Sequence, residues 1–257
     1  MSKNYELLQQ ADFGLGLAPA FTTRTSTAEE SAGARRDAVD VAQVLPGVEP
    51  EVREEALKLV QRLFLMRNEE SPRSVVIAGI DACLGCNWLC AVTAKLLARS
   101  VPGSVCLVEG NLRSPSLFDM LQLDGDTGLV DALRLERPIR EFTRQLGSDN
   151  LWLLPAGAPS EDSMVLLSSD RMRERIGELR REFDYLIVST PPLTAFADGM
   201  VLGGMADGVV LVLEANSTRR EVALRVTENL RTMNIPVLGA VLNNRTFPIP
   251  SALYKRL

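Results

Sequence analysis

The segment Ile80-Asp81-Ala82-Cys83-Leu84-Gly85-Cys86-Asn87-Trp88 lies between a short β-branched run, Ser74 to Gly79, and a helical pattern that opens at Asn87. A strand that turns into a helix at such a place presents free backbone N–H groups and the positive end of the helix dipole, which together seat phosphates. A working phosphate loop is rich in glycine, then supplies Lys for the β- and γ-phosphates and Ser or Thr for magnesium. Here only Gly85 is kept: Cys86 stands at the lysine, Asn87 at the hydroxyl residue, and Ile80 at the general motif's first glycine. The location is that of a phosphate loop and the chemistry is not.

The same stretch holds Cys83, Cys86 and Cys90, a C-x2-C-x3-C run, and Cys106 falls inside a later apolar run. Three thiols are one ligand short of a closed zinc or cluster site, and the chain has no histidine to complete it. A redox pair at Cys83 and Cys86 is a second reading, because thiolates at a helix N-terminus have lowered pKa. Small apolar residues filling a loop that no longer holds phosphate is the third. No metal ligand set is expected. The missing histidines also remove the commonest general base.

These residues need a scaffold, and the chain is long enough for one. With 257 residues, 46% hydrophobic and 24% charged, it accommodates one sizeable α/β domain plus appendages. A net charge of −5 gives no drive toward nucleic acid, so none is expected as a partner. The longest apolar runs, such as Val75 to Ile80 and Val209 to Leu213, fall far short of the roughly 20 residues of a membrane-spanning helix. The start, Met1-Ser2-Lys3-Asn4, has no signal-peptide core, so a reducing cytoplasm is the expected location.

The domain plan follows from changes of pattern. Residues 1–49 read as a flexible tail, rich in Ala, Thr, Ser and Gly between Phe13 and Gly47. Residues 50–70 read as an amphipathic lead-in helix, with Val52, Ala56, Leu59, Val60, Leu63 and Phe64 at helical spacing after Pro50. Residues 71–247 alternate β-branched runs with helical patterns, the mark of βαβ units, and 248–257 form a C-terminal tail. Strands are predicted at Ser74–Gly79, Ser104–Glu109, Leu151–Leu154, Tyr185–Ser189, Gly208–Leu213 and Val237–Leu242, each apolar enough to be covered on both faces. The clearest helices are Asn87–Ser100, Ser169–Phe183 and Thr218–Met233. The fold class is α/β, a parallel sheet flanked by helices.

The segment Val105-Cys106-Leu107-Val108-Glu109-Gly110-Asn111-Leu112-Arg113-Ser114-Pro115-Ser116-Leu117 resembles the second-strand motif of the bacterial tyrosine kinases of capsule and exopolysaccharide synthesis, which reads strand, Asp-x-Asp, then Leu-Arg-x-Pro-Ser-Leu. Gly128 to Leu133, Leu154-Pro155-Ala156-Gly157, Leu166 to Ser169, Phe183 to Pro192, Ala206 to Val209 and Thr218 to Glu221 resemble further segments of that family, in the same order. The resemblance runs from about Glu55 to about Asn243 and implies a P-loop NTPase-like domain of the ParA/MinD type. In the Gly-x-Gly-Lys form of that family's loop, Cys83 takes the place of the first glycine.

The departures fall on catalytic positions. The family's two Asp-x-Asp carboxylates and the Asp before Thr-Pro-Pro, which serve the metal and the attacking hydroxyl, correspond to Glu109, Asn111 and Ser189. Asn243 matches a position near the purine pocket and reads equally as a turn residue. Losing three charge-assisted contacts removes about 5–9 kcal/mol of stabilisation for phosphoryl transfer. Glu109 alone is left to carry a cation.

The expectation is therefore a pseudokinase with no cofactor, acting as regulator or partner in polysaccharide polymerisation and export. An active tyrosine kinase or ATPase using ATP and magnesium is the alternative, and a ParA/MinD-type positioning protein the third reading. The resemblance implies a membrane-embedded chain-length co-polymerase or a kinase paralogue as partner, placing the protein at the inner face of the membrane. Glu55-Ala56-Leu57-Lys58 is similar to the segment through which such kinases form rings, which makes Glu55 and Lys58 candidates for a homo-oligomer contact, against the plainer role of a helix packed on its own domain. The family's terminal tyrosine run is reduced to Tyr254.

Overall fold

The computed structural model describes residues 50–65, 71–82, 85–123, 127–147 and 150–244. The proposed tail 1–49, the C-terminal tail 248–257 with Tyr254, and Cys83 lie outside the described residues. The chain enters through α1 (Pro50–Val60) and a π-helical turn (Gln61–Leu65), then alternates β1 (Ser74–Gly79), α2 (Cys86–Ser100) and β2 (Val105–Glu109). Next come two short helices, α3 (Leu117–Met120) and α4 (Leu129–Arg134), a 3-10 turn (Ile139–Phe142), β3 (Arg144–Gln145) and β4 (Leu151–Leu154). The rest is α5 (Ser163–Ser168), α6 (Asp170–Glu182), β5 (Tyr185–Ser189), α7 (Asp198–Gly203), β6 (Gly208–Glu214), α8 (Arg220–Thr232) and β7 (Val237–Asn243).

The strands form one sheet in the order β3-β4-β2-β5-β1-β6-β7. Every neighbouring pair is parallel except β3 with β4, where Arg144 lies opposite Leu153. The sheet is thus mixed at one edge, a departure from the parallel expectation, because the two-residue β3 pairs antiparallel with the next strand in the chain, with no helix between them. Successive residues of a strand point to opposite faces. Val75 and Ile77 accordingly join a core with α1, the π-helical turn and α2, while Val76 and Ala78 join one with α4, α6, α7 and α8.

Helix bounds move where side chains cap or close turns. Ser169 stands just outside α6, accepting the Met172 N–H on its Oγ at 3.2 Å. Thr218 stays out of α8 because its Oγ1 accepts the Glu214 N–H at 3.0 Å. At the sheet's lower edge, Asp207 Oδ2 accepts the N–H groups of Arg73 and Ser74, each at 2.8 Å, and Asp184 Oδ2 accepts that of Ser104 at 2.8 Å. Both aspartates therefore pin the starts of strands, at the end away from the phosphate-loop position.

Coverage on both faces, expected of every strand, fails at β7. There Val237 and Leu242 are 37% and 52% exposed, because α8 turns only Val226 and Leu230 fully inward.

Candidate functional site: the β1–α2 turn and the end of β2

Parallel strands bring their carboxyl ends to one edge, and the sequence candidates gather there. Gly85 precedes α2 with φ 94°, a left-handed turn that favours glycine, and its carbonyl accepts the Leu89 N–H at 2.8 Å. Cys86 is then the first residue of α2 and Asn87 the second, both half-buried.

Glu109 closes β2 directly beside Ser189 of β5. Its side chain is fully buried, and both carboxylate oxygens are used internally. Oε1 accepts the N–H groups of Ser116 and Leu117 at 2.6 and 2.7 Å, and Oε2 accepts that of Ala156 at 3.3 Å. Burial pushes its pKa above the ordinary carboxylate value, and the three backbone donors act against that shift. The carboxylate left to carry a cation in the sequence reading instead staples two loops.

The neighbouring positions are tied to one another as well. Asn87 Nδ2 donates to Ser116 Oγ at 2.6 Å, so the second residue of α2 is bonded to the loop that Glu109 holds. Asn111 folds back on its own turn, with Nδ2 donating to the Ser114 carbonyl at 2.8 Å and Oδ1 accepting the Ser114 N–H at 3.2 Å. Ser189 is buried, and its Oγ finds no hydrogen-bond partner among the described residues. Asn243 ends β7 at the same edge of the sheet, but β6 separates that strand from β1.

Three features carry no sequence signal of their own. Arg113 reaches Asp198 through Nε at 3.1 Å and a terminal amine at 3.4 Å, and its guanidinium lies 4.8 Å from the centre of the Phe196 ring. Thr194 straps the loop after β5 onto the β1–α2 turn: its N–H donates to the Ile80 carbonyl at 3.0 Å, and its hydroxyl lies 2.9 Å from that carbonyl and 3.2 Å from the Asp81 carboxylate. Gly110 donates its N–H to the Ser189 carbonyl at 2.8 Å, and a Cβ there would come within 2.7 Å of that oxygen. Arg113 and Asp198 are 85 residues apart, so no spacing rule connects them.

Among the described residues no group of three or more His, Cys, Asp or Glu could hold a metal ion, and no helix is long and apolar enough to cross a membrane. Cys90 and Cys106 are buried, and burial holds the Cys106 thiol far above its usual range.

No protein-family model matches the chain. Among curated proteins it is 32% identical over 141 residues to the tyrosine-protein kinase YwqD of Bacillus subtilis, covering 55% of this chain and 60% of that protein. It is 30% identical over 174 residues to the succinoglycan biosynthesis transport protein ExoP of Rhizobium meliloti, covering 66% of this chain and 22% of the relative. The chain thus spans less than two thirds of the length of either. Among solved structures, the kinase domain of the Escherichia coli tyrosine kinase ETK superposes with a TM-score of 0.73 at 20% identity, over 85% of this chain and 86% of that one. The MinC:MinD complex of Aquifex aeolicus gives 0.56 at 20% identity, over 72% of each. By sequence this chain is similar to bacterial tyrosine-protein kinases, and its fold is that of the ETK kinase domain.

Proposed function

We propose that the protein is a non-catalytic, kinase-like regulator or partner of exopolysaccharide or capsule polymerisation and export. The observation that carries this reading is Glu109, whose two oxygens already accept three backbone N–H groups. A carboxylate so engaged would have to give up those bonds before it could hold magnesium, and each is worth about 1.5–3 kcal/mol when charge-assisted. The amide of Asn87 is spent on Ser116, Cys86 supplies no positive charge, and Asp81 places a further carboxylate beside the turn. The donor set therefore does not fit Mg-ATP.

Isothermal titration calorimetry with ATP and ADP, with and without magnesium, tests the reading, and no heat above dilution is expected. Magnesium-dependent binding, together with ATP turnover that vanishes in Glu109→Ala, would establish the alternative, an active tyrosine kinase or ATPase. One observation favours that second reading: Gly85 keeps the left-handed turn that aims the first N–H groups of α2 at the phosphate position.

The partner consistent with this role is a membrane-embedded chain-length co-polymerase, or a paralogue with an intact site, which would hold the chain at the inner membrane face. Pull-down of such a protein by the full chain, and its loss when the surface of α1 is reversed in charge, is the expected outcome. A positioning role of the ParA/MinD kind rests on the shared fold alone.

A further inference from the structure

Two surfaces of the chain are opposite in charge and alike in baring apolar side chains. The first is on α8, where Arg220, Leu224, Thr227 and Arg231 recur at helical spacing and so lie along one face. Thr227 is half-buried and the other three are exposed, Leu224 to 58%. Arg219 and Arg225 stand beside this stripe, and among the described residues none of the four arginines forms an ion pair. Glu221 and Glu228 leave the segment net positive. The arginines of α6 differ, because Arg171, Arg173 and Arg180 are bound to Glu174, Asp170 and Asp207 at 3.0, 2.6 and 2.7 Å.

The second surface lies at the carboxyl end of the sheet. There α5 packs on α7, which brings Met164 and Val165 of α5 toward the loop Ala195-Phe196-Ala197 that leads into α7. All five residues are exposed, Val165 to 72%. Carboxylates border them. The Ser160 N–H donates to the Leu112 carbonyl at 2.9 Å, which holds Glu161 and Asp162 near the turn after β2, and the Asp81 carboxylate lies 3.2 Å from the hydroxyl of Thr194, the residue before the loop. Among the described residues none of these three acids forms an ion pair, and Asp162 makes no side-chain bond to the helix it precedes. The guanidinium at this edge, Arg113, is already bonded to Asp198.

A single exposed leucine is ordinary, but an apolar patch bordered by unpaired charge marks an interaction surface. One surface is apolar and basic, the other apolar and acidic, and a second copy of the chain brings the complement of each. We infer that α8 of one copy docks across α5 and the 195–197 loop of the next, with Leu224 seated on Met164, Val165 and Phe196 and the α8 arginines meeting Asp81, Glu161 and Asp162. The contact joins different elements, so it is heterologous, and every pair keeps one surface of each kind free. It covers the Phe196 and Arg113 flank of the candidate site and leaves α1 out.

Sedimentation velocity on the full chain, over a dilution series up to about 100 micromolar and at low and high salt, tests the inference. The mass should rise with concentration and fall back at high salt. Arg220→Glu/Arg231→Glu and Glu161→Lys/Asp162→Lys should each weaken association about tenfold or more with the thermal midpoint unchanged. Mixed in equal amounts, the two variants should recover the assembly, since each then meets a surface of opposite charge. A chain that stays monomeric at every concentration overturns the inference, and so does association that either variant leaves intact or that only Glu55→Arg abolishes, which assigns the contact to α1. A mixture no more associated than its components also overturns it, because the two surfaces would then not be each other's partners.

Discussion

A glutamate at the end of β2 is one methylene longer than an aspartate would be, and that reach lets position 109 span two loops. Its Oε1 meets the first N–H groups of the Ser116–Leu117 turn, and its Oε2 reaches Ala156 from β4's far end. Glu109→Ala leaves three donors without their acceptor in a site closed to solvent, so a loss of about 2–4 kcal/mol in urea unfolding is expected. Glu109→Gln separates charge from shape. Burial raises the folded pKa of Glu109 above its ordinary value, so its charge-linked contribution is fully present below about 4.5 and is lost as pH rises through the folded pKa. The stability difference between wild type and Glu109→Gln should therefore shift against wild type as pH is raised from about 4 toward neutrality. A difference flat across that range would show that the three backbone donors fully offset the desolvation of the carboxylate. The thiols give a companion expectation: native protein treated with a thiol reagent near pH 7.5 should leave Cys106 unmodified until it unfolds, as its burial and raised pKa require.

The elements around this residue explain which parts of the structure were legible in the sequence. β1, β4 and β5 match their expected bounds because each is a short apolar run between turn signals, buried on both faces. The short helices α3, α5 and α7 and the strand β3 have four to six residues or fewer, too few for a period to register, and their places are set by contacts from far along the chain. The candidate positions were visible in the sequence, but their contacts were not: that Glu109 would bind Ala156, 47 residues on, depends on where β4 ends. Arg113 shows the same limit at the level of elements. Within the Leu-Arg-Ser-Pro-Ser-Leu segment it reads as a family residue, whereas in the fold it clamps the turn after β2 to the start of α7 through the fully buried Asp198. Arg113→Ala should cost about 3 kcal/mol, since removing one partner strands the other as a buried charge. The double variant Arg113→Ala/Asp198→Ala should be less destabilised than the sum of the two single variants.

At the scale of the molecule, α1 decides between two uses of one amphipathic helix. Its apolar stripe, Ala56 and Val60, continues through Leu63 and Phe64 of the π-helical turn and joins the α2 side of the core, where Phe64 packs edge-on against Tyr185. The stripe is thus consumed by its own domain, and what faces outward is charged. Lys58 sits between Glu54 and Glu55 at 3.2 and 2.8 Å, and these bonds, the one to Glu55 first, raise its pKa. Exposed pairs of this kind contribute little to folding, so their reversal tests association without threatening the fold. Glu55→Arg breaks the triad and sets two cations on one helical turn, which should leave the unfolding midpoint within about 0.5 kcal/mol of wild type. If α1 forms a contact between copies, light scattering after size exclusion should show an assembly for wild type and a monomer for Glu55→Arg. Identical monomers would assign α1 wholly to its own domain, and a kinase-like role would then have to be exercised on a different protein rather than in a ring of this one.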